Sequence, residues 1–209
     1  MIELWSVPTA NGQKVHIALE EAGLAYLPTM IDLTKGEHRT PEFLALNPFG
    51  KAPVMRDPDG PGGREIVLAE SLAIAWYAAE KGGNGLVAED PAHRAEQLMW
   101  ASAISSSVAM PFAMQFFATQ LAPTPDPWLI ETMTGGARGA LAVFDARLAE
   151  RDFVCGEAFC VVDCLLFPVV ATSAKRLEGW LDPYPALRGW HDRIGERSGV
   201  KRGMAVGAD

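Results

Sequence analysis

Two pairs of polar residues lie where the sequence predicts that helices begin. Thr9 and Asn11 lie at the start of one helical pattern, and Glu70 and Ser71 lie at the start of another. The first turn of a helix leaves backbone N–H groups unpaired and carries partial positive charge, so it can bind an anion. The same residue types also cap helices without binding a ligand, and the sequence leaves both interpretations open.

The prolines, cysteines and histidines say less about the function. Pro53 follows a loop and precedes a predicted strand, which suits a cis peptide bond, although an ordinary trans bond is the alternative. The odd number of cysteines and the lack of a Cys-x-x-Cys or nearby histidine predict buried thiols in a reducing, cytoplasmic compartment and no metal site. These are Cys155, Cys160 and Cys164. Three histidines are predicted to be structural or superficial: His16, His93 and His191.

The elements that position these residues alternate in the first part of the chain. Strand patterns cover residues 2–5, 27–31, 54–56 and 66–68, and helical patterns cover 11–22, 40–46 and 71–80. Because glycine and proline are dense between the last two strands, these strands are predicted to form a hairpin. The order β-α-β-α-β-β-α predicts a mixed four-stranded sheet with helices on both faces.

The rest of the chain shows helical patterns only. Predicted helices cover residues 92–117, bent near Pro111, then 128–150, 161–175 and 185–197. The third of these is apolar almost throughout and is predicted to be the buried centre of this half. The sequence therefore predicts an α/β domain at 1–80, a glycine-rich linker at 81–91 and an all-α domain at 92–209.

Composition excludes several classes of protein. The 209 residues carry a formal charge of −8 and are 49% hydrophobic, as in ordinary globular proteins. The sequence contains no cluster of lysine and arginine of the kind that binds nucleic acid. We expect no membrane span, because no segment approaches about 18 consecutive apolar residues, and the start of the chain lacks a signal-peptide pattern.

Three motifs then occur in a characteristic order. They are Asn47-Pro48-Phe49-Gly50-Lys51-Ala52-Pro53-Val54, Glu70-Ser71-Leu72-Ala73-Ile74, and Tyr184-Pro185-Ala186-Leu187 with Trp190 and Arg193. Each is weak alone, but together with the helical half they make nearly the whole chain resemble the cytosolic glutathione transferases. Residues 9–14 are similar to the nu class and related bacterial and fungal members, several of which reduce disulfides or peroxides with glutathione.

The resemblance implies a thioredoxin-like N-terminal domain, an all-helical C-terminal domain and glutathione as co-substrate. In the family the bond before Pro53 is cis, and the backbone of Ala52 pairs with the cysteinyl part of glutathione. Glu70 would take the ammonium of the γ-glutamyl group.

Two further ends of glutathione are assigned in the same way. Ser71 and the N–H groups beside it would hold the γ-glutamyl carboxylate. Lys51 would face the glycyl carboxylate. His38 matches a glutathione-contacting position in the nu-type members, and a solvent-exposed loop histidine is an equal alternative.

The thiol end of glutathione determines the mechanism. A free thiol titrates near about 8.5, so lowering its pKa by two units requires about 2.7 kcal/mol of preferential stabilisation of the thiolate. Thr9, Asn11 and the N–H groups of the first helix are the available donors, with Ser6 as the rival. The absence of cysteine in this segment excludes a glutaredoxin-like protein thiol.

The sequence therefore predicts a glutathione-dependent transferase or thiol–disulfide oxidoreductase acting on a small electrophile, disulfide or peroxide. The alternative is a non-catalytic glutathione-binding or interaction protein on the same fold. A homodimer is what the family implies. Disulfide reductase activity is less secure than glutathione binding, because no basic residue near 131–133 could make the second-subunit contact of some nu-type members.

Overall fold

The computed structural model describes residues 1–177 and 179–207. Its contacts divide the chain into two compact units, Met1–Val87 together with residues 195–207, and Ala88–Ile194. The division expected from the sequence differs in one respect, because it assigned the C-terminal segment to the helical half. The domain boundaries that the sequence places at residues 80 and 92 remain a prediction.

The first unit is built on the four-stranded sheet that the sequence predicts. Its strands are β1 (Ile2–Ser6), β2 (Tyr26–Met30), β3 (Val54–Asp57) and β4 (Ile66–Ala69). The spatial order is β2-β1-β3-β4, with β1 parallel to β2 and with β3 antiparallel to both of its neighbours. The predicted mixed sheet is therefore confirmed.

Two helices connect these strands, α1 (Ala10–Glu21) and α2 (Pro41–Leu46), and a third, α3 (Ser71–Gly82), follows β4. Their starts agree with the sequence patterns to within one residue. α2 shows an ordinary cap, because Thr40 Oγ1 accepts a hydrogen bond from Phe43 N at 3.3 Å and Pro41 occupies the first helical position. The middle of α1 is buried throughout, from Lys14 to Leu19.

The second unit holds five helices among its described residues. They are α4 (Pro91–Ala103), α5 (Ala109–Phe116), α6 (Pro127–Leu148), α7 (Val161–Arg176) and α8 (Pro185–Gly195). α7 is the buried centre that the sequence predicts, with every residue from Val161 to Val170 buried. α6 is continuous despite its three glycines.

The predicted bend near Pro111 takes another form. A π-helical turn at Ile104–Val108 links α4 to α5, and a second one at Phe117–Leu121 follows α5. A proline ring clashes with the carbonyl four residues earlier in an α-helix, and the wider turn relieves that crowding just before Pro111. The helical path from Pro91 to Leu121 is therefore unbroken.

This continuous segment is relevant to the expectation that the chain has no membrane span. Over residues 1–177 and 179–207, the segment Pro91–Leu121 alone is long and apolar enough to cross a membrane by length and composition, with a mean hydropathy of 1.2. Only 22% of that apolar window is buried. The sequence-based expectation rested on a run of about 18 consecutive apolar residues, and this segment is interrupted by serines and glutamines. It reaches this mean hydropathy because its alanines, methionines and phenylalanines outweigh those polar residues.

Asp163 anchors the start of α7. The Asp163 carboxylate accepts hydrogen bonds from the N–H groups of Val154 at 3.1 Å and Cys160 at 3.0 Å, and from Trp190 Nε1 at 2.9 Å. Burial raises the pKa of this carboxyl, and the three donors oppose that rise. Asp163 therefore fixes the entry to the helix although Cys160 replaces the usual hydroxyl cap, a thiol that lies 3.4 Å from the same carboxylate.

A ninth helix, α9 (Ser198–Ala205), was not predicted as a separate element and packs against α1 in the first unit. A Cβ built on Gly203 would lie 2.6 Å from Ile17 N, so the two backbones approach each other closely. Arg197 and Arg202 then pair with Glu21 and Glu20, each at 2.6 Å. These contacts explain why residues 195–207 belong with the sheet unit.

Candidate active site

The register of the sheet brings three chain segments to one of its ends. Trp5 pairs with Val54, and Val54 pairs with Ala69. The last residue of β1, the residue before β3 and the residue after β4 therefore lie at the same end. The predicted site residues at the start of α1, before β3 and at the start of α3 meet there.

The start of α1 presents free donors. Thr9 is the N-cap residue, with extended backbone angles, but its side chain makes no capping hydrogen bond. The side chains of Thr9 and Asn11 are exposed, and Asn11 Oδ1 accepts a hydrogen bond from Lys14 Nζ at 2.8 Å. A Cβ on Gly12 would lie 2.1 Å from Val7 O, so glycine is required for this tight entry into the helix.

The start of α3 is equally open. Glu70 precedes the helix with φ 71° and ψ 118°, a left-handed backbone that is unusual for a residue with a side chain. Glu70 makes no side-chain capping bond and is exposed, and Ser71 is 9% exposed. An uncapped helix start leaves N–H groups available to an anion. The side chains of Thr9 and Glu70 therefore do not cap their helices, so helix capping does not explain why these residues stand there.

The loop between α2 and β3 is held by one buried side chain. Asn47 is 2% exposed, and its Nδ2 donates to Lys51 O at 2.7 Å while its Oδ1 accepts from Phe49 N at 3.1 Å. The Lys51 side chain is exposed. The Ala52–Pro53 peptide bond is cis, as the sequence predicts.

The short 3₁₀ turn Glu37–Arg39 lies against this loop. A Cβ built on Gly50 would lie 3.0 Å from both His38 O and Arg39 Nη1. His38 Nδ1 is buried without a hydrogen-bond partner among the described residues, so the ring is packed inward in part. Sequence reasoning missed Arg39, an exposed cation whose guanidinium lies beside Gly50, the residue before Lys51. No sequence signal indicates this, because α2 separates Arg39 from the Lys51 motif along the chain.

Ser6 is placed differently from the other thiol-site candidates. Its side chain is 0% exposed, and its Oγ lies 3.0 Å from His16 Nε2. The other ring nitrogen, His16 Nδ1, lies 3.1 Å from the hydroxyl of Tyr26. Burial lowers the pKa of His16 to about 4, so this ring is neutral at physiological pH. The Ser6 hydroxyl therefore belongs to a buried network, whereas the side chains of Thr9 and Asn11 are exposed.

The remaining histidines and cysteines have structural surroundings. His93 Nε2 bonds to Cys155 O at 2.8 Å, and His191 stacks on Phe167 with ring centroids 5.2 Å apart. The three cysteines are free and buried. Over residues 1–177 and 179–207, no group of three potential ligands is close enough to hold a metal ion.

Lys14 is the second residue to which sequence reasoning gave no role. It is 1% exposed, and burial lowers its pKa to about 8. The spacing of three residues from Asn11 is the signal that could have found it, because residues i and i+3 meet on a helix.

Comparison with known proteins matches this geometry to one family. Residues 10–81 match the family described as "Glutathione S-transferase, N-terminal domain", and residues 113–193 match "Glutathione S-transferase, C-terminal domain". The disulfide-bond oxidoreductase YfcG of Escherichia coli is 34% identical over 199 residues, which cover 94% of this chain and 91% of YfcG.

Solved structures agree with the sequence comparison. A glutathione transferase family member from Pseudomonas fluorescens with two glutathione bound has a TM-score of 0.92 at 32% identity, covering 97% of this chain and 92% of that one. A glutathione transferase from Pseudomonas putida with one glutathione disulfide per subunit has a TM-score of 0.93 at 31% identity, covering 98% and 91%. With its two family domains and its full-length relatives, this chain belongs to the glutathione S-transferase family.

Proposed function

We propose that this protein is a glutathione-dependent transferase and thiol–disulfide oxidoreductase. The observation that carries the proposal is the convergence of two uncapped helix starts, those of α1 and α3, at one end of the sheet. Two such starts provide separate places for two anionic groups of one ligand, a carboxylate and a thiolate. The full-length match to YfcG, named a disulfide-bond oxidoreductase, supports the redox part of the proposal.

Glutathione fits this end of the sheet group by group. The γ-glutamyl carboxylate binds the free N–H groups and the hydroxyl of Ser71 at the start of α3, and Glu70 pairs with the ammonium. Ala52 offers its backbone to the cysteinyl part in the manner of an added strand. Lys51 attracts the glycyl carboxylate, and His38 lies in the turn beside the same loop.

The thiol then lies at the start of α1. Thr9 and Asn11 donate hydrogen bonds to the thiolate, which lowers the thiol pKa and raises the fraction of nucleophile at neutral pH. The thiolate attacks one sulfur of a disulfide, a mixed disulfide forms, and the other sulfur leaves as a thiolate that takes a proton. A second glutathione thiolate attacks the mixed disulfide, which gives glutathione disulfide and the second thiol.

Conjugation uses the same first step. The glutathione thiolate forms a C–S bond with an electrophilic carbon. In a substitution the leaving group departs with the electron pair of the bond that breaks, and in an addition the resulting anion takes up a proton. Both activities therefore depend on the same donors, and the second substrate alone distinguishes them.

The test is glutathione-dependent reduction of 2-hydroxyethyl disulfide by the wild type, Thr9→Ala and Asn11→Ala. We expect each substitution to lower kcat/KM by about tenfold or more, which corresponds to about 1.4 kcal/mol of transition-state stabilisation. Thr29→Ala is the matched control, because Thr29 is an exposed threonine of β2 in the same unit.

Two outcomes would contradict different parts of the proposal, the first the assignment of the thiolate donors and the second the catalytic function. Turnover that survives both substitutions would remove the thiolate role from Thr9 and Asn11 and leave it to backbone N–H groups or Ser6. Glutathione binding detected by calorimetry, without turnover on disulfides or electrophiles, would favour the non-catalytic alternative.

We also propose a cytoplasmic homodimer. Three buried cysteines without a disulfide are typical of a reducing compartment. Large apolar side chains are exposed along the segment Pro91–Leu121, and an exposed apolar surface is typical of a protein interface. They include Leu98, Met99, Met110 and Phe117. Light scattering coupled to size-exclusion chromatography tests the dimer, and a monomeric mass would contradict it.

A further inference from the structure

Lys14 is a buried cation next to the proposed thiolate donors. Its side chain is 1% exposed, although lysine is almost never fully buried without a pairing partner. The Lys14 ammonium donates to Asn11 Oδ1 at 2.8 Å. Among residues 1–177 and 179–207, no carboxylate forms an ion pair with it, and no charged neighbour contributes to its lowered pKa.

The position of Lys14 in the helix increases the cost of this charge. Lys14 lies near the start of α1, where the helix dipole is positive and disfavours a further cation. Burial alone lowers the Lys14 pKa to about 8, so most of the ammonium stays protonated at neutral pH. A cation kept in two unfavourable environments is typical of a functional site.

The acidic groups within α1, β1 and α3 pair with residues other than Lys14. At the other end of α1, Glu21 pairs with Arg197, the residue before α9, and Glu20 pairs with Arg202 of α9. The acidic groups of β1 and α3 also have partners: Glu3 lies 3.7 Å from Arg56, and Glu80 accepts from Trp76 Nε1 at 2.9 Å. The one cation in the last turn of α3, Lys81, pairs with Asp57 at 2.7 Å.

The hydrogen bond between Lys14 and Asn11 fixes the orientation of the Asn11 amide. An ammonium only donates, so the amide atom that faces it is the oxygen Oδ1. The planar amide then directs its nitrogen Nδ2 away from Lys14, and the Asn11 side chain is exposed. Without this contact, the amide could rotate and present its oxygen, which repels a thiolate.

We propose that Lys14 is a positioning residue for thiolate activation, which holds Asn11 Oδ1 so that Asn11 Nδ2 donates to the sulfur of glutathione. This inference rests on the proposed function. The positive charge behind the amide also polarises it, which strengthens the hydrogen bond that Asn11 Nδ2 donates to the thiolate. Lys14 itself does not touch the substrate.

The test measures the pKa of the glutathione thiol in the complex, from the ultraviolet absorbance of the thiolate against pH. Lys14→Met keeps the length of the side chain and removes both donor and charge. We expect it to raise the thiol pKa by about one unit, a tenfold loss of thiolate below that pKa. Lys14→Gln keeps a neutral donor for Asn11 Oδ1, so we expect a smaller rise than with methionine.

A second set of variants separates positioning from a general effect on the fold. In the Asn11→Ala background, we expect Lys14→Met to leave the thiol pKa unchanged, because the residue through which Lys14 acts is missing. Val15→Ala is the control for α1, since Val15 is fully buried in the same helix and a shorter side chain there affects packing alone. We expect it to leave the thiol pKa at the wild-type value.

The contradicting results are distinct. A wild-type thiol pKa in the Lys14→Met complex, with glutathione still bound, would overturn the positioning role and leave the proposed function intact. An equal rise with and without Asn11 would show that Lys14 does not act through Asn11. A wild-type protein that binds no glutathione, or binds it without lowering the thiol pKa, would instead contradict the proposed function.

Discussion

The His16 imidazole bonds to the Ser6 hydroxyl, with Nε2 3.0 Å from Oγ and both side chains buried. This contact occupies the one hydroxyl that rivalled Thr9 in the sequence. It also ties β1 to α1, because Ser6 is the last residue of β1 and His16 lies in α1. The hydrogen bond therefore gives Ser6 a structural role that a substitution can separate from catalysis.

Ser6→Ala is expected to affect stability and spare catalysis. Loss of the hydroxyl leaves a buried ring nitrogen without its partner, which costs about 1–3 kcal/mol. Urea unfolding should show this loss, and kcat/KM for disulfide reduction should stay within about twofold of the wild type. A tenfold loss of kcat/KM with unchanged stability would instead return Ser6 to the catalytic site.

His16 is expected to make the fold sensitive to acid. Burial lowers its pKa to about 4 in the folded protein, whereas the unfolded chain takes up a proton near about 6.5. The unfolded state therefore binds more protons between these values, so stability falls as the pH drops from 6.5 towards 4, by up to about 3 kcal/mol. Urea midpoints at pH 7 and pH 5 measure the slope.

The His16→Gln variant isolates this effect. Glutamine does not titrate, so the part of the acid sensitivity that comes from His16 should disappear even if the variant is less stable at every pH. An unchanged slope in His16→Gln would show that other groups cause the loss.

The close contact between α9 and α1 gives the next prediction. A Cβ on Gly203 would lie 2.6 Å from Ile17 N and 2.7 Å from Ile17 Cα, both of which are backbone atoms. Gly203→Ala must therefore push the two helices apart, and overpacking of this kind costs about 1–3 kcal/mol. Thermal unfolding measures the loss.

Gly139→Ala is the matched control for that substitution. Gly139 also lies inside a helix, but a Cβ there would meet nothing within 4 Å. We expect this variant to gain about 1 kcal/mol, because alanine favours the helix over glycine. Equal effects of the two substitutions would mean that helix propensity, and not the contact with α1, governs Gly203.

The sequence predicted the features that local chemistry determines. The mixed four-stranded sheet followed from strand patterns and the hairpin turn, and Ser71 was proposed because a helix start after a strand is visible in the pattern. The π-helical turn before Pro111 was not predictable in detail, since proline indicates a disturbance but not its form. α9 was missed as a separate helix because Gly199 and Gly203 lower helix propensity. These glycines allow α9 to approach α1 closely, which only the tertiary structure shows.

The same limit applies to the candidate site. Thr9 and Asn11 were found from their position, but their freedom from capping became visible only with the backbone geometry. The burial of Lys14 and the position of Arg39 beside Gly50 both depend on how separate segments pack together. A sequence pattern gives residue types and spacing, whereas these properties come from tertiary packing.

Ser71 and Thr40 allow ligand binding to be separated from helix capping, because both are hydroxyl residues at the start of a helix. Thr40 Oγ1 accepts from Phe43 N at 3.3 Å and caps α2, whereas the start of α3 has no side-chain cap. Ser71→Ala is therefore expected to raise KM for glutathione by about tenfold, or about 1.4 kcal/mol, with little change in stability. Thr40→Ala is expected to lose about 1 kcal/mol of stability with little change in KM. Steady-state kinetics and urea unfolding of both variants measure the contrast, and a stability loss without a KM effect in Ser71→Ala would assign that hydroxyl to the fold alone.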